Sequence, residues 1–495
     1  MYTIGPMWKR SLFSVLIVFV LAWLGRSFYQ YMQLPIDGDL AAIVVPLGWY
    51  ARVLHDPFGW AVLTHDAVYA APNRFFAHVL LNQYFRHVPG WLQHFLAPIQ
   101  SVYVAIALLK LLTHLLLLYL LAVYATGASK LNHRGLWLVM ALLLPLFQTA
   151  GYNLQMGIID HATTYAAFYA LPMALLLLLL LPFYRAAQHG VWRPLRWVEL
   201  IALIGLTMVV AFNGSVVLGA VAVLLPGIVL YALRRQAQVD KMFLWSSWQP
   251  ILLLSLLGLL CVYSLYIGLN NSENPTVLPS LWERYQRLPL GFFRQFTVKL
   301  GLPLLLVMLL LNAQLIRRVL PATSEGQHLL RSLRWLALFA LVYILLLPLG
   351  GYRPYRPLLL RRDTVLPIIL GMVCLYGASS YYVWRYLPMG RLRVGYIVLL
   401  GVFSAIFLNA DRLHISPVDN NNCEQQALSY LAHAPAGVVQ LPQACPVLSW
   451  NVATDPAQIT VQAHLLNLWG ITRGLTGYYQ QPPDPTQQLL PTPPN

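Results

Sequence analysis

Long apolar runs alternating with short polar, mostly basic stretches organise this chain from end to end. The runs carry no polar stripe at helical spacing, so they do not read as the amphipathic helices of a soluble core. Their lengths approach the roughly 20 residues that carry a helix across a hydrocarbon layer. Eleven spans are expected, at 11–26, 99–126, 135–150, 162–183, 197–212, 215–232, 248–269, 300–316, 335–350, 364–384 and 394–410. The shorter ones are expected to tilt or to borrow length from their flanks. The fifth and sixth are parted only by Asn213 and Gly214, read as a tight outer turn; fusing them would invert everything downstream. The first run, Ser11 to Leu24, follows Lys9 and Arg10 as a signal peptide would. The residues after it, Gly25-Arg26-Ser27, offer no small-residue cleavage site, and it reads as an uncleaved span.

Composition agrees with the pattern. Only 10% of the 495 residues are charged and 59% are hydrophobic, where soluble domains carry about 25% charged residues. The formal charge of +16 raises the question of nucleic acid, but the excess sits in short loops between spans, where it acts as an orientation signal. Loops assigned to the cytoplasm hold Lys130 and Arg134; Arg185, Arg193 and Arg196; Arg234, Arg235 and Lys241; Arg317, Arg318, Arg331 and Arg334; and Arg385, Arg391 and Arg393. Three acidic residues, Glu199, Asp240 and Glu325, share that side, and the other thirteen of the sixteen lie outside. The expected setting is a bacterial inner membrane, with the N-terminus in the cytoplasm and the C-terminus in the periplasm.

Three outer regions exceed simple connectors. The first, Ser27 to Pro98, contains amphipathic stretches such as Asn73–His87 that suit helices lying in the interface. The second is about Asn270–Lys299. The third begins after the transmembrane domain, 1–410, and forms a small α/β domain at 411–480. It reads as helix (Glu424–Ala432), strand (Val438–Leu441), strand (Val447–Trp450) and helix (Pro456–Trp469), then a disordered Pro-rich tail, 481–495. Cys423 and Cys445 lie in this outer segment, where an oxidising compartment favours a disulfide between them; two unpaired thiols are the alternative.

Candidate chemistry begins just past the first span, at Pro35-Ile36-Asp37-Gly38-Asp39. Two carboxylates at the membrane–water boundary suit a general base or a metal ligand. Their plainer role is a solvated turn, with Asp39 as N-cap of a helix over Leu40–Val53. His55-Asp56-Pro57 and His65-Asp66 repeat a His-Asp pair, but Pro57 and Gly59 rule out one continuous helix, and no HxxxH or HxH spacing marks a metal site. A divalent ion is therefore open but not indicated, and these residues serve at most as accessory groups.

Gly350-Gly351-Tyr352-Arg353-Pro354-Tyr355-Arg356-Pro357, followed by Arg361, Arg362 and Asp363, opposes the positive-inside preference if the loop lies outside. A polyproline II spiral would set Arg353 and Arg356 on one face, where arginine forks match phosphate oxygens. Headgroup anchoring, or pairing with outer carboxylates, is the plainer alternative. Gln148, Asn153, Asp160 and His161 flank the turn between the third and fourth spans, and Glu283, Arg284, Arg287, Arg294 and Lys299 decorate the second large loop. Lys110 and His114 share one face of the second span, and a lysine that deep points inward to a partner or a wet cavity.

A first span, acidic residues at its outer end in a long loop with interfacial helices, many further spans and an extracytoplasmic C-terminal part: this arrangement resembles the GT-C superfamily of polyprenyl-phosphate-dependent membrane glycosyltransferases. The residues that carry the resemblance are Asp37-Gly38-Asp39, the Ser27–Pro98 loop and the segment after Asp411. It implies a catalytic base at Asp37 or Asp39, matched by position, and a lipid phosphate held by basic residues, which the arginine loop matches by chemistry alone. Many members carry an Asp-Glu or Glu-Asp pair here, where this chain has Asp-Gly-Asp. The implied activity is inverting transfer of a sugar from a polyprenyl-phosphate donor, with a membrane lipid as partner and no nucleic acid. No nucleotide-binding Gly-rich loop is present. Two rival classes remain at this point: a transporter or flippase for an anionic lipid or glycan, which would use a midplane path and inverted repeats, and a non-catalytic subunit of an envelope complex.

Overall fold

The computed structural model describes residues 6–147, 156–238, 247–274, 277–297, 300–350, 352–353, 356–412 and 420–480. Gln148, Asn153, Lys241, Lys299 and the tail 481–495 lie outside the described residues. Helix α1 (Pro6–Met32) leads into four short or amphipathic helices: α2 (Leu40–Val44), α3 (Trp49–His55), α4 (Trp60–His65) and α5 (Phe75–Leu92). Then come α6 (Pro98–Thr126), α7 (Arg134–Phe147), α8 (Thr163–His189), α9 (Trp197–Ala211), α10 (Ser215–Gln238) and α11 (Trp248–Gly268). Two loop helices, α12 (Leu281–Gln286) and α13 (Leu288–Thr297), precede α14 (Gly301–Arg318), α15 (Ser324–Leu346), α16 (Leu366–Tyr386) and α17 (Arg391–Arg412).

Among the described residues nine helices are long and apolar enough to cross a membrane, namely α1, α6, α8, α10, α11 and α14 to α17. The third and fifth expected spans are helical but short. They are α7 and α9, each within the 10–17-residue range, below what a perpendicular crossing needs. The protein is thus an all-α multi-pass membrane protein with little sheet. Helices α16 and α6 are the most enclosed, and α16 packs against α14, α6, α15 and α7. The turn at Asn213-Gly214 is present, with Gly214 at φ +107°, a conformation other residues rarely adopt.

The C-terminal segment holds α18 (Asn422–His433), β1 (Gly437–Leu441), α19 (Thr460–Leu468) and β2 (Thr476–Gln480). The two strands pair in parallel, Gly437 opposite Thr476 through Leu441 opposite Gln480, and α19 lies in the long connection that parallel pairing requires. The second strand is therefore not Val447–Trp450. Leu448 adopts φ +47°, outside strand geometry, and its N–H goes to the Glu424 carboxylate instead of a ladder. This segment shares one apolar cluster with the first loop, in which Ile36, Leu40 and Phe85 meet Leu428, Leu466 and Trp469. The Trp469 indole N–H donates to the Phe85 carbonyl and the Asn421 amide to the Met32 carbonyl. Cys423 and Cys445 are joined by a disulfide.

Candidate functional site

Asp37 and Asp39 end up in different surroundings. Asp37 is buried and accepts three hydrogen bonds at the N-terminus of α8, from Thr163 N (2.8 Å), Thr164 N (3.2 Å) and Thr164 Oγ1 (2.8 Å). It satisfies backbone donors that the helix itself leaves orphaned, at the end where the helix dipole favours an anion. Burial pushes its carboxyl above the ordinary range, opposed by the Thr164 bonds.

Asp39 is only half-buried. It stands at the N-cap position of α2 but makes no capping bond, and α2 ends at Val44, because Pro46 and the left-handed Gly48 break the helix expected to reach Val53. Its Oδ1 accepts from the Trp450 indole Nε1 at 2.8 Å, and among the described residues its Oδ2 accepts no hydrogen bond. Burial raises its carboxyl too, with Glu273 adding to the rise while the Trp450 bond, Arg356 and Arg74 oppose it.

Between them, Gly38 allows a close approach that no other residue would. A Cβ there would lie 2.6 Å from the Trp450 backbone N and 2.7 Å from its Cδ1. The opposing loop is fixed by Glu424, whose buried carboxylate accepts from Ile36 N (2.9 Å), Tyr103 OH (2.8 Å) and Leu448 N (2.9 Å). Cys423 and Cys445 flank that same junction. The C-terminal segment therefore sets the position of the Asp37–Asp39 turn.

The arginine loop comes to the same face, and its arginines are already engaged with carboxylates. Arg353 pairs with Glu273 at 2.8 Å and Arg361 with Asp363 at 3.2 Å. Arg362 pairs with Asp160, and Arg356 lies 3.7 Å from Asp363 while donating to the Tyr165 hydroxyl, its guanidinium 4.9 Å from the Tyr165 ring centre. Arg356 N–H donates to the Arg353 carbonyl at 3.0 Å; Pro354 and Tyr355, on which the expected spiral falls, lie outside the described residues. Pairing prevails because Asp160, Glu273 and Asp363 stand within ion-pair distance of these arginines.

Arg74, just ahead of α5, was not singled out in the sequence. Its guanidinium covers the Phe168 ring at 4.5 Å, its buried Nε has no hydrogen-bond partner, and among the described residues it has no ion-pair partner. It acts on both Asp39 and Tyr169 electrostatically. The signal available was its placement, since it is an arginine in a loop expected to lie outside, like those of 353–362. Tyr165 and Tyr169 flank this space from the start of α8, where Ala166–Ala170 form a π-helical turn. Such turns are frequent at functional sites because they re-aim the side chains around them.

Lys110 is fully buried and donates to the His161 carbonyl, with Asp37 and Asp160 as the negative groups around it. It fastens α6 to the segment before α8. His114 receives or gives a hydrogen bond with Tyr31 OH (3.0 Å) and stacks on Phe147. Asp56 spends its oxygens on Trp60 N, Ala61 N and Tyr69 OH, while His55, His65 and Asp66 are exposed. Among the described residues no three His, Cys, Asp or Glu side chains are placed to hold a metal ion. Next to the arginine loop runs an apolar groove of about 490 Å³, lined by Leu288, Phe292, Phe293, Phe296, Ile344 and Leu360, the residue before Arg361.

No protein-family model matches this chain, and no curated protein or solved structure matches it.

Proposed function

We propose that the protein is an inverting GT-C-like glycosyltransferase that moves a sugar from a polyprenyl-phosphate donor to an acceptor hydroxyl at the outer face of the membrane. The observation that carries the reading is the convergence, on one face of the bundle, of a half-buried carboxylate with a free oxygen and a ring of arginines, beside an apolar groove. Asp39, not Asp37, is the base in this reading. Asp37 is occupied by three donors, whereas Asp39 keeps Oδ2 open and has a carboxyl made more basic by burial. Asp39 removes the acceptor proton as that oxygen bonds the anomeric carbon; the bond from that carbon to the phosphate oxygen breaks, inverting the centre.

Charge then grows on the departing phosphate. Arg74 meets it with a guanidinium that has no carboxylate to leave, and Arg356 adds a partly desolvated charge. Arg353, Arg361 and Arg362 hold the carboxylates that shape the site. The isoprenoid chain lies along the Phe292–Phe296 groove. The reading takes all eleven expected spans as crossings, with α7 and α9 tilted or extended, the N-terminus cytoplasmic and the C-terminal segment outside.

The test is transfer from synthetic polyprenyl-phosphate sugars by the full chain in nanodiscs. Asp39→Asn should slow transfer by about 10²–10⁴-fold while donor binding stays nearly intact. Unchanged transfer in a normally inserted variant would remove Asp39 from the mechanism.

A further inference from the structure

Trp450 is exposed to solvent at 51%, yet it is held as a core residue would be. Its indole N–H is bonded to Asp39, its backbone is pressed flush on Gly38, and its ring meets Tyr165 at 5.8 Å. Tyr165 is itself engaged by Arg356, which lies over its ring and donates to its hydroxyl. The loop that carries Trp450 is pinned from behind by the Leu448–Glu424 bond and the Cys423–Cys445 disulfide. A large ring of this kind loses little freedom on binding, because its orientation is already fixed.

We propose that Trp450, with Tyr165, is a stacking platform for a pyranose ring. The electron-rich face of an indole attracts the weakly positive C–H face of a sugar. A ring lying there would have its edge hydroxyls within reach of the Asp39 carboxylate, which shares the indole's hydrogen bond. The inference rests on the glycosyl-transfer reading and deepens it, by naming the surface that recognises carbohydrate. The same chemistry fits the sugar of the donor lipid and the terminal sugar of a glycan acceptor.

Saturation-transfer NMR on the full chain in nanodiscs tests it, with methyl glucoside, galactoside and mannoside as probes and erythritol, a linear polyol, as control. At least one pyranoside should show saturation several-fold above erythritol, strongest at the C–H protons of one face. Trp450→Ala should abolish that signal and Trp450→Phe retain part of it. Asp39→Asn should keep it, because the amide oxygen still accepts from the indole. Gly38→Ala, which drives a methyl into Trp450, should weaken it without removing the ring.

In a transfer assay, Trp450→Ala should raise KM for the donor alone if the platform holds the donor sugar, or for the acceptor alone if it holds a glycan. Pyranoside signals no stronger than erythritol, or equal in wild type and a folded Trp450→Ala protein, would overturn the platform. Sugar binding that depends on Trp450, in a protein whose Asp39→Asn variant transfers normally, would keep the platform and discard the proposed base.

Discussion

Two polar clusters stand out in this bundle, and they are built on opposite principles. The first joins α14, α16 and α17: Asn312 donates to Ser379 and Ser380 at 2.9 Å each and accepts from Tyr396 at 2.8 Å. It is neutral, enclosed and closed on itself, as expected of hydrogen bonds that hold membrane helices together. The second, on the first-loop face, is made of charges. It gathers Asp39, Asp160, Glu273 and Asp363 with Arg74, Arg353, Arg356, Arg361 and Arg362, and it is only partly shielded from solvent. Helix adhesion needs no such density of charge, and burying it is costly. The excess is what the proposed reading uses to meet an anionic lipid phosphate.

Substitutions should separate the two clusters sharply, and the largest effect should come from the seam between them and the first loop. Asp37→Ala strands the Thr163 and Thr164 N–H groups and a hydroxyl, a loss of roughly 3–5 kcal/mol at the usual cost of buried unmet donors. A collapse of folded yield and of the melting temperature in detergent is expected. A stable Asp37→Ala protein with lost transfer would reverse the roles of Asp37 and Asp39.

Next in size is a pH effect at the joint with the C-terminal segment. Burial raises the Glu424 carboxyl from 4.5 to about 7, so the folded state holds this proton more tightly than the unfolded chain. Its contribution to stability is complete below the unfolded value, falls as pH rises and is gone above about 7. That amounts to at most about 3 kcal/mol for the cited shift. Melting curves should show greater stability at pH 5 than at pH 8, and Glu424→Gln should flatten the slope.

Arg74→Ala should weaken donor-lipid binding by about 10–150-fold, the value of one charge-assisted contact of roughly 1.5–3 kcal/mol. Arg74→Lys should recover only part of it, since charge without the fork loses bidentate geometry. Titration with polyprenyl phosphate in nanodiscs measures both. Smallest of all, Asn312→Ala should cost about 0.6 kcal/mol of bundle stability, and no more than about 1.7, with transfer unchanged. A transfer defect there would mean the inner cluster is part of the working site.

Much of the bundle was legible because long apolar runs and loop arginines are local signals. Among the described residues every expected span falls on a helix, although α7 and α9 are shorter than a perpendicular crossing needs. The Asp37-Gly38-Asp39 turn and the arginines at 353–362 were visible for the same reason. Pairing of those arginines with outer carboxylates was the plainer reading of the sequence, but which carboxylate each one meets was not legible. That Arg362 faces Asp160, or that Trp450 caps Asp39, depends on packing between segments hundreds of residues apart. Arg74 was missed because a single arginine carries no pattern. The Val447–Trp450 run reads as a strand by composition, and only the left-handed Leu448 and its bond to Glu424 decide otherwise.

The central claim is that the charged cluster and its neighbouring groove hold a polyprenyl-phosphate sugar. Mass spectrometry of lipids retained by Asp39→Asn protein, extracted directly from its native membrane into nanodiscs, tests it most directly. That variant should bind the donor and fail to consume it, so a glycosylated polyprenyl phosphate enriched over bulk lipid, and lost on adding Arg74→Ala, is the expected result. Bulk phospholipid alone, identical with and without the Arg74 change, would contradict it.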